Sequence, residues 1–483
     1  MTVSEQFGDP AFPRPPGTAA NDRDATRHGA PLRPIARPSP DDPIGSLQAS
    51  GPTTGRERIA SLDVLRGFAL LGILVLNIET FSGPAMMHDV PVGTGHPAFV
   101  GWHASLDLAI FALKWAFFEG KMRTLFSMLY GAGIVLLADR MKRHGRAEHA
   151  AGLFYRRNLW LLLFGIVHGT LIWQGDILSQ YALVALLFMF PLRRLAAKRL
   201  IVIGLAVGIL GGTCGVVRMT NAPALLAADR LREAGRVAIR SHRPPSAEQA
   251  RAIAKDASEQ SALPHQVELA IQAGRRPYLQ SIGPRTEGYL SFVEGLFRSG
   301  WIFEVIGSML LGMGLFKTGF LTAGMSSRFY LAIAALGYLI SAPIVILGIV
   351  MANASGFSTA SITQWLFLPY ELEVFAGAVA NAAIILLVVR NGKGKAFTNA
   401  LANVGRTAFS NYIMTSILCQ SVFAWGPWKL YGAMEYYEQI YVVAAVWSIN
   451  LAASALWLRH FNYGPLEWAW RSLVYWKRPE MLK

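Results

Sequence analysis

Leu159–Phe190 reads LWLLLFGIVHGTLIWQGDILSQYALVALLFMF. Two apolar runs meet at Gln174, Gly175 and Asp176, and His168 sits one short step before that turn. Backbone groups in lipid must be satisfied within their own segment, so the runs predict a pair of membrane helices. Ionisable groups at that depth cost several kcal/mol unless they are paired or face a cavity. The stretch therefore decides the fold class and also marks the first place to look for chemistry.

The same pattern recurs along the chain. Leu65–Phe81, Leu125–Ala138, Leu159–Trp173, Ile177–Leu192, Leu200–Val217, Ile302–Phe316, Phe329–Met351, Val374–Val389, Ala408–Trp425 and Tyr441–Leu458 are all apolar runs. Each is near the ~20 residues needed to cross ~30 Å of hydrocarbon. The expected fold is all-α, a polytopic transmembrane helical bundle of about ten spans. Composition agrees: 53% of the 483 residues are hydrophobic and 16% charged, against about 25% charged in a soluble domain.

The formal charge of +15 would suggest nucleic acid in a soluble protein. Here the basic residues sit in short loops, so they read as topology, with no nucleic-acid partner. Arg140, Lys142, Arg143, Arg146, Arg156 and Arg157 share one loop, and Arg193, Arg194, Lys198 and Arg199 another. Arg390, Lys393, Lys395 and Arg406 form a third, and Arg459, Arg471, Lys477 and Arg478 mark the end of the chain. The positive-inside rule places all of these in the cytoplasm, with both termini inside. Leu106–Phe118 strains this count and is read as an interfacial or re-entrant helix on the outer face.

Residues 1–58 lack hydrophobic periodicity and read as a disordered cytoplasmic tail, with no apolar core and cleavage site of a signal peptide. Membrane helices are expected over 59–217 and 299–483. Between them, 218–298 is a polar insertion with helical spacing broken by Pro244, Pro245 and Pro264. Span parity places it outside, as a helical cap or a mobile loop. Cys214 and Cys419 show no metal spacing and read as small buried hydrophobes.

In the hairpin, each helix has about sixteen residues, or ~24 Å. The turn then falls below the outer headgroups, and Asp176 is expected among helices. A carboxylate beside His168 would fix the tautomer and raise the basicity, as a general base requires. The blander alternative is a structural histidine, with Asp176 capping the helix that follows. Asp63 and Arg66 share a helix face, as an interfacial ion pair or a binding element. Lys121 and Arg123 open another helix, as an anion site or as snorkelling side chains. Arg406 and Asn411 lie at a further membrane edge. Glu467 and Arg471 are spaced for an ion pair in an amphipathic C-terminal helix on the inner surface. No metal site is expected.

SLDVLRGFALLGILVLNI, GKMRTLFSMLYGAG, GIVHGTLIWQGDILSQYAL, GRTAFSNYIMTSILCQSVF and LWLRHFNYGPLEWAWR together resemble the YeiB-like family of bacterial inner-membrane proteins of unknown function. The resemblance runs from Ile59 to Tyr475 and includes His168 and Asp176. The family is distantly similar to transmembrane acyltransferases such as heparan-alpha-glucosaminide N-acetyltransferase. That likeness implies a multi-pass inner-membrane protein among lipids, with an acyl group moved to an extracytoplasmic glycan or lipid acceptor. It implies acetyl-CoA or another acyl donor and no tightly bound cofactor. Catalysis would fall to His168 and Asp176, and substrate binding to Lys121, Arg123, Asp63, Arg66, Arg406 and Asn411. In the heparan enzyme the catalytic histidine lies in the loop after the first span. Here that loop holds His88, His96 and His103, none in a copy of that motif. The resemblance carries fold further than mechanism. A transporter or permease remains the alternative, and a homo-oligomer is allowed.

Overall fold

The computed structural model describes residues 59–89, 99, 101–392 and 394–483. The expected tail over 1–58, Lys393 and the side chains of His88 and His96 lie outside the described residues. The rest is helical, with no strand among the described residues beyond one isolated bridge, Phe461 to Leu482.

In chain order, α1 is Ala60–Ser82, α2 Ala104–Phe117, α3 Lys121–Arg143 and α4 Ala150–Leu171. Next come α5, Leu178–Leu192, and α6, Ala197–Thr220. The insertion supplies α7, Ala222–Arg240, α8, Ala247–Gly274, and α9, Tyr278–Arg298. The second half holds α10, Trp301–Lys317, α11, Ser327–Ala354, α12, Thr359–Ile362, and α13, Tyr370–Asn391. It ends with α14, Lys395–Arg406, α15, Ala408–Gln420, α16, Tyr436–His460, and α17, Pro465–Tyr475.

Burial sorts these helices. In α1, 72% of the apolar window is buried, and the helix packs against α3, α14, α15 and α16. In α6, α11 and α16 the share is 28%, and Val202, Leu210, Leu331, Leu339 and Ile346 point outward. An apolar face left open on a long apolar helix is what lipid covers. Close packing inside depends on small residues. A Cβ on Gly131 would lie 2.0 Å from the Met309 carbonyl oxygen, and one on Gly312 1.9 Å from that of Met128, so α3 and α10 touch backbone to backbone.

Six described stretches are long and apolar enough to span a membrane: α1, the α2–α3 run, α6, α11, α13 and α16. The pair α9–α10, bent by 72°, makes seven if it counts as one span. Ten were expected. Each of the ten apolar runs falls on a helix, so the difference lies in length and charge. α4 carries Arg156 and Arg157, α5 is short, and α15 has 13 residues before a π turn at 421–425.

The helix expected over Leu106–Phe118 forms as α2, Ala104–Phe117. α2 continues into α3 across Gly120, whose φ of +64° suits glycine. Taken together, Ala104–Arg143, 40 residues, is one of the candidate spans. Cys419 is buried as expected, but Cys214 is exposed on α6.

Candidate functional site: a buried Ser–His–Asp array between two cavities

The α4–α5 hairpin brings His168 and Asp176 into contact. His168 Nδ1 lies 2.9 Å from Asp176 Oδ1, and both residues are at most 1% exposed. The second oxygen, Oδ2, accepts the Ser179 N–H at 2.7 Å and so caps α5. The two sequence readings of Asp176, cap and histidine partner, are both realised, one per oxygen. Gly165 makes the approach feasible. It sits one turn before His168, and a Cβ there would lie 2.3 Å from Ser179 N and 2.7 Å from Asp176 Oδ2.

The other face of the imidazole meets a residue from the far end of the chain. His168 Nε2 is 3.0 Å from Ser416 Oγ on α15, itself 1% exposed. With Asp176 as a carboxylate, Nδ1 carries the proton and Nε2 presents its lone pair to the hydroxyl. Tyr412, one turn before Ser416, packs its ring 4.9 Å from the imidazole. Its hydroxyl donates to Asp176 Oδ1 at 3.4 Å and accepts the Ile177 N–H at 3.3 Å. Ser416, Tyr412 and Trp173 were not singled out from the sequence; Ser416 is 248 residues from His168, and nothing in the local pattern TSILCQ marks it.

His168, Asp176 and Ser416 line no cavity themselves, but their neighbours line two. One, of about 270 Å³, is lined by Arg66, Arg140, Arg143, Arg157, Arg406 and Arg471, with Asp63 and Glu467 as its acidic residues. Tyr412 forms part of its wall. The other, of about 640 Å³, is lined by Glu79, Lys114, Glu119, Arg123, Trp173 and Gly175, among others. Trp173 faces it, and its ring centre is 6.4 Å from that of His168. Ile73 and Ile177 line both cavities.

The insertion closes the hairpin end. Arg285 donates to the Leu171 carbonyl at 2.9 Å, as does the Tyr278 hydroxyl at 3.1 Å. These bonds satisfy a carbonyl that the end of α4 would otherwise leave open. Gly288, Ser291 and Phe292 of the same helix, α9, line the larger cavity.

The other expected site residues separate into two groups. Asp63 and Arg66 form their ion pair, at 2.8 Å, in the wall of the arginine-lined cavity. Arg406 lines it too, with its buried Nε lacking a hydrogen-bond partner. Arg123 lines the larger cavity but is held by Glu304 at 2.8 Å, with Tyr370 at 3.3 Å. Lys121 lines neither cavity: it is wholly buried against Glu373 Oε2 at 2.5 Å and the Trp115 carbonyl at 2.8 Å. Asn411 is also enclosed, donating to Thr407, Ser454 and the Val404 carbonyl.

Glu467 accepts from the Phe409 and Ser410 amides and the Ser410 hydroxyl, and so caps α15 from α17. Burial raises its carboxyl above the usual carboxylate range, and those hydrogen bonds pull the other way. On the same helix, Trp470 lies under the Arg157 guanidinium, 4.4 Å away. His103 pairs with Asp107 at 2.7 Å, near Glu435; Asp107 also accepts the Tyr437 N–H.

These features define a multi-pass helical membrane protein with a hydrogen-bonded Ser–His–Asp array enclosed in its bundle. Residues 315–477 match the family described as "Protein of unknown function (DUF418)". Over 432 residues the chain is 29% identical to "Uncharacterized protein YeiB" of Escherichia coli (strain K12), covering 86% of this chain and 96% of that protein. It is 29% identical over 435 residues to "Uncharacterized protein YxaH" of Bacillus subtilis (strain 168), covering 89% and 97%. The chain is thus similar to these proteins over most of its length and to the family model over its last third. No solved structure matches it. The matched family region contains Ser416, Tyr412 and Glu467, whereas His168 and Asp176 come from the preceding half.

Proposed function

We propose that the chain is an acyltransferase of the bacterial inner membrane, with His168 as general base and Asp176 as the group that orients it. The observation that carries this reading is the imidazole itself, bonded to a carboxylate at 2.9 Å and a hydroxyl at 3.0 Å, beside one wall residue of each cavity, Tyr412 and Trp173. A base must reach the proton it removes and hold the right tautomer, and the contacts to Ser416 and Asp176 support both. The arginine-lined cavity suits an anionic acyl donor such as acetyl-CoA. Its arginines come from three clusters that the positive-inside rule assigns to the cytoplasm, together with Arg66, which supports a cytoplasmic mouth and cytoplasmic termini. The larger cavity, under the insertion, suits a glycan or lipid acceptor on the opposite side.

The test uses protein in nanodiscs with isotope-labelled acetyl-CoA and extracted bacterial membrane lipids and glycans. Mass spectrometry should find labelled acceptor, lost in His168→Ala. Full transfer by His168→Ala removes the assignment. A transporter is the second reading, because two cavities parted by a thin wall also suit alternating access. Gradient-dependent uptake into proteoliposomes, with no acylated product, would favour it.

A further inference from the structure

We infer that Ser416 carries the acyl group as a covalent ester between the two half-reactions, an inference that rests on the acyl-transfer reading. Its Oγ is 3.0 Å from His168 Nε2, and Nδ1 on the same ring is 2.9 Å from Asp176. This is the order of groups that activates a serine: hydroxyl, imidazole, carboxylate. Asp176 is fixed as well by the Ser179 amide and the Tyr412 hydroxyl, so it cannot swing away without breaking those bonds. Ser416 Oγ also lies 3.3 Å from the Tyr412 carbonyl, which gives its proton a resting partner within the helix.

The position of the array is the second argument. The imidazole centre is 4.9 Å from the ring of Tyr412, a wall of the arginine-lined cavity, and 6.4 Å from that of Trp173, a wall of the other. Direct transfer would require donor carbonyl and acceptor hydroxyl to meet in one space, yet the cavities are separate. A carrier serine removes that requirement. The donor approaches past Tyr412 and leaves, and the acceptor then approaches past Trp173. Only the acyl group crosses.

The steps balance without an oxidant or reductant. Ser416 Oγ bonds to the acyl carbon of an activated ester or thioester while its proton moves to His168 Nε2. The carbon–sulfur or carbon–oxygen bond of the donor breaks, and the leaving group takes that proton. An acceptor hydroxyl or amine then attacks the serine ester, His168 removes its proton, and Ser416 Oγ recovers a proton as its ester bond breaks. Asp176 accepts a hydrogen bond throughout and balances the transient imidazolium.

The probe is p-nitrophenyl acetate, a small activated ester, mixed with the full chain in nanodiscs without acceptor. The expected result is a burst of p-nitrophenolate equal to the protein, with a hydroxylamine-sensitive acetyl group on the peptide holding Ser416. Ser416→Ala should abolish burst and adduct, and His168→Ala should slow acylation by roughly 10³-fold or more. Ser416→Cys, which keeps a nucleophile of similar size, should carry the acetyl as a thioester; this holds the test open if the alanine variant does not fold. No burst in the wild type, an adduct only elsewhere, or no adduct on Ser416→Cys overturns the carrier. Wild-type transfer from acetyl-CoA by a folded Ser416→Ala also overturns it while leaving His168 as base. Wild-type transfer by His168→Ala as well would overturn both.

Discussion

Replacing Gly165 with alanine should damage the array without touching any of its three residues. The added Cβ would lie 2.3 Å from Ser179 N and 2.7 Å from Asp176 Oδ2, where an ordinary contact is at least 3.4 Å. Ser179 N is backbone, so the whole turn must retreat, by about 1 Å, which takes the 2.9 Å bond between His168 and Asp176 beyond the usual N–H···O range. A hydrogen bond to a charged group is worth about 1.5–3 kcal/mol, or roughly 10- to 150-fold in rate. The assay is acyl transfer in nanodiscs, with Asp176→Asn measured beside Gly165→Ala and the thermal midpoints recorded in the same lipid. Gly165→Ala should lose transfer by that factor with a smaller loss of stability than a core cavity produces. If Asp176→Asn is inactive and Gly165→Ala transfers at the wild-type rate, the close approach of α4 to the 176–179 turn is wrong.

Two further outcomes are expected. Lys121→Met leaves Glu373 buried without its cation and should cost about 3–5 kcal/mol, seen as a fall in thermal midpoint; adding Glu373→Gln should recover most of it. A Lys121→Met protein that melts with the wild type and loses only donor affinity would restore Lys121 to the binding site. A periplasmic reporter inserted between Arg243 and Pro244, in the link between α7 and α8, should be active, because α9 caps the hairpin at the end away from the arginine-lined cavity. Cytoplasmic activity there would invert the orientation.

The half of the array that could be read from sequence is the half that is local. His168 and Asp176 are joined by one turn, and their cost in lipid makes them conspicuous whatever the rest of the fold does. Ser416 is a small hydroxyl residue in an apolar helix, a common and inexpensive occurrence, and only the tertiary fold brings it to Nε2. Lys121 shows the reverse difficulty. Beside Arg123 at a helix start it reads as a cation available to a ligand, and its neutralising partner is 252 residues away. The span count differs for another reason. Each of the ten apolar runs falls on a helix, but α4 carries two arginines and α5 and α15 are short, so hydropathy alone does not settle which of them cross unaided. Arg66 and Arg406 share one cavity wall because helices α1 and α14 meet in the tertiary fold.

The thin wall at Ile73 and Ile177 has an electrical consequence. Where water fills both cavities, most of the membrane's resistance to charge lies across that wall, and the potential drop is compressed into it. Moving one charge through the full drop is worth about 2.3 kcal/mol per 100 mV. Asp176, the partner of His168, is next to Ile177 in the chain, so a step that displaces charge between Ser416 and Asp176 would run at a rate set partly by the voltage across the membrane.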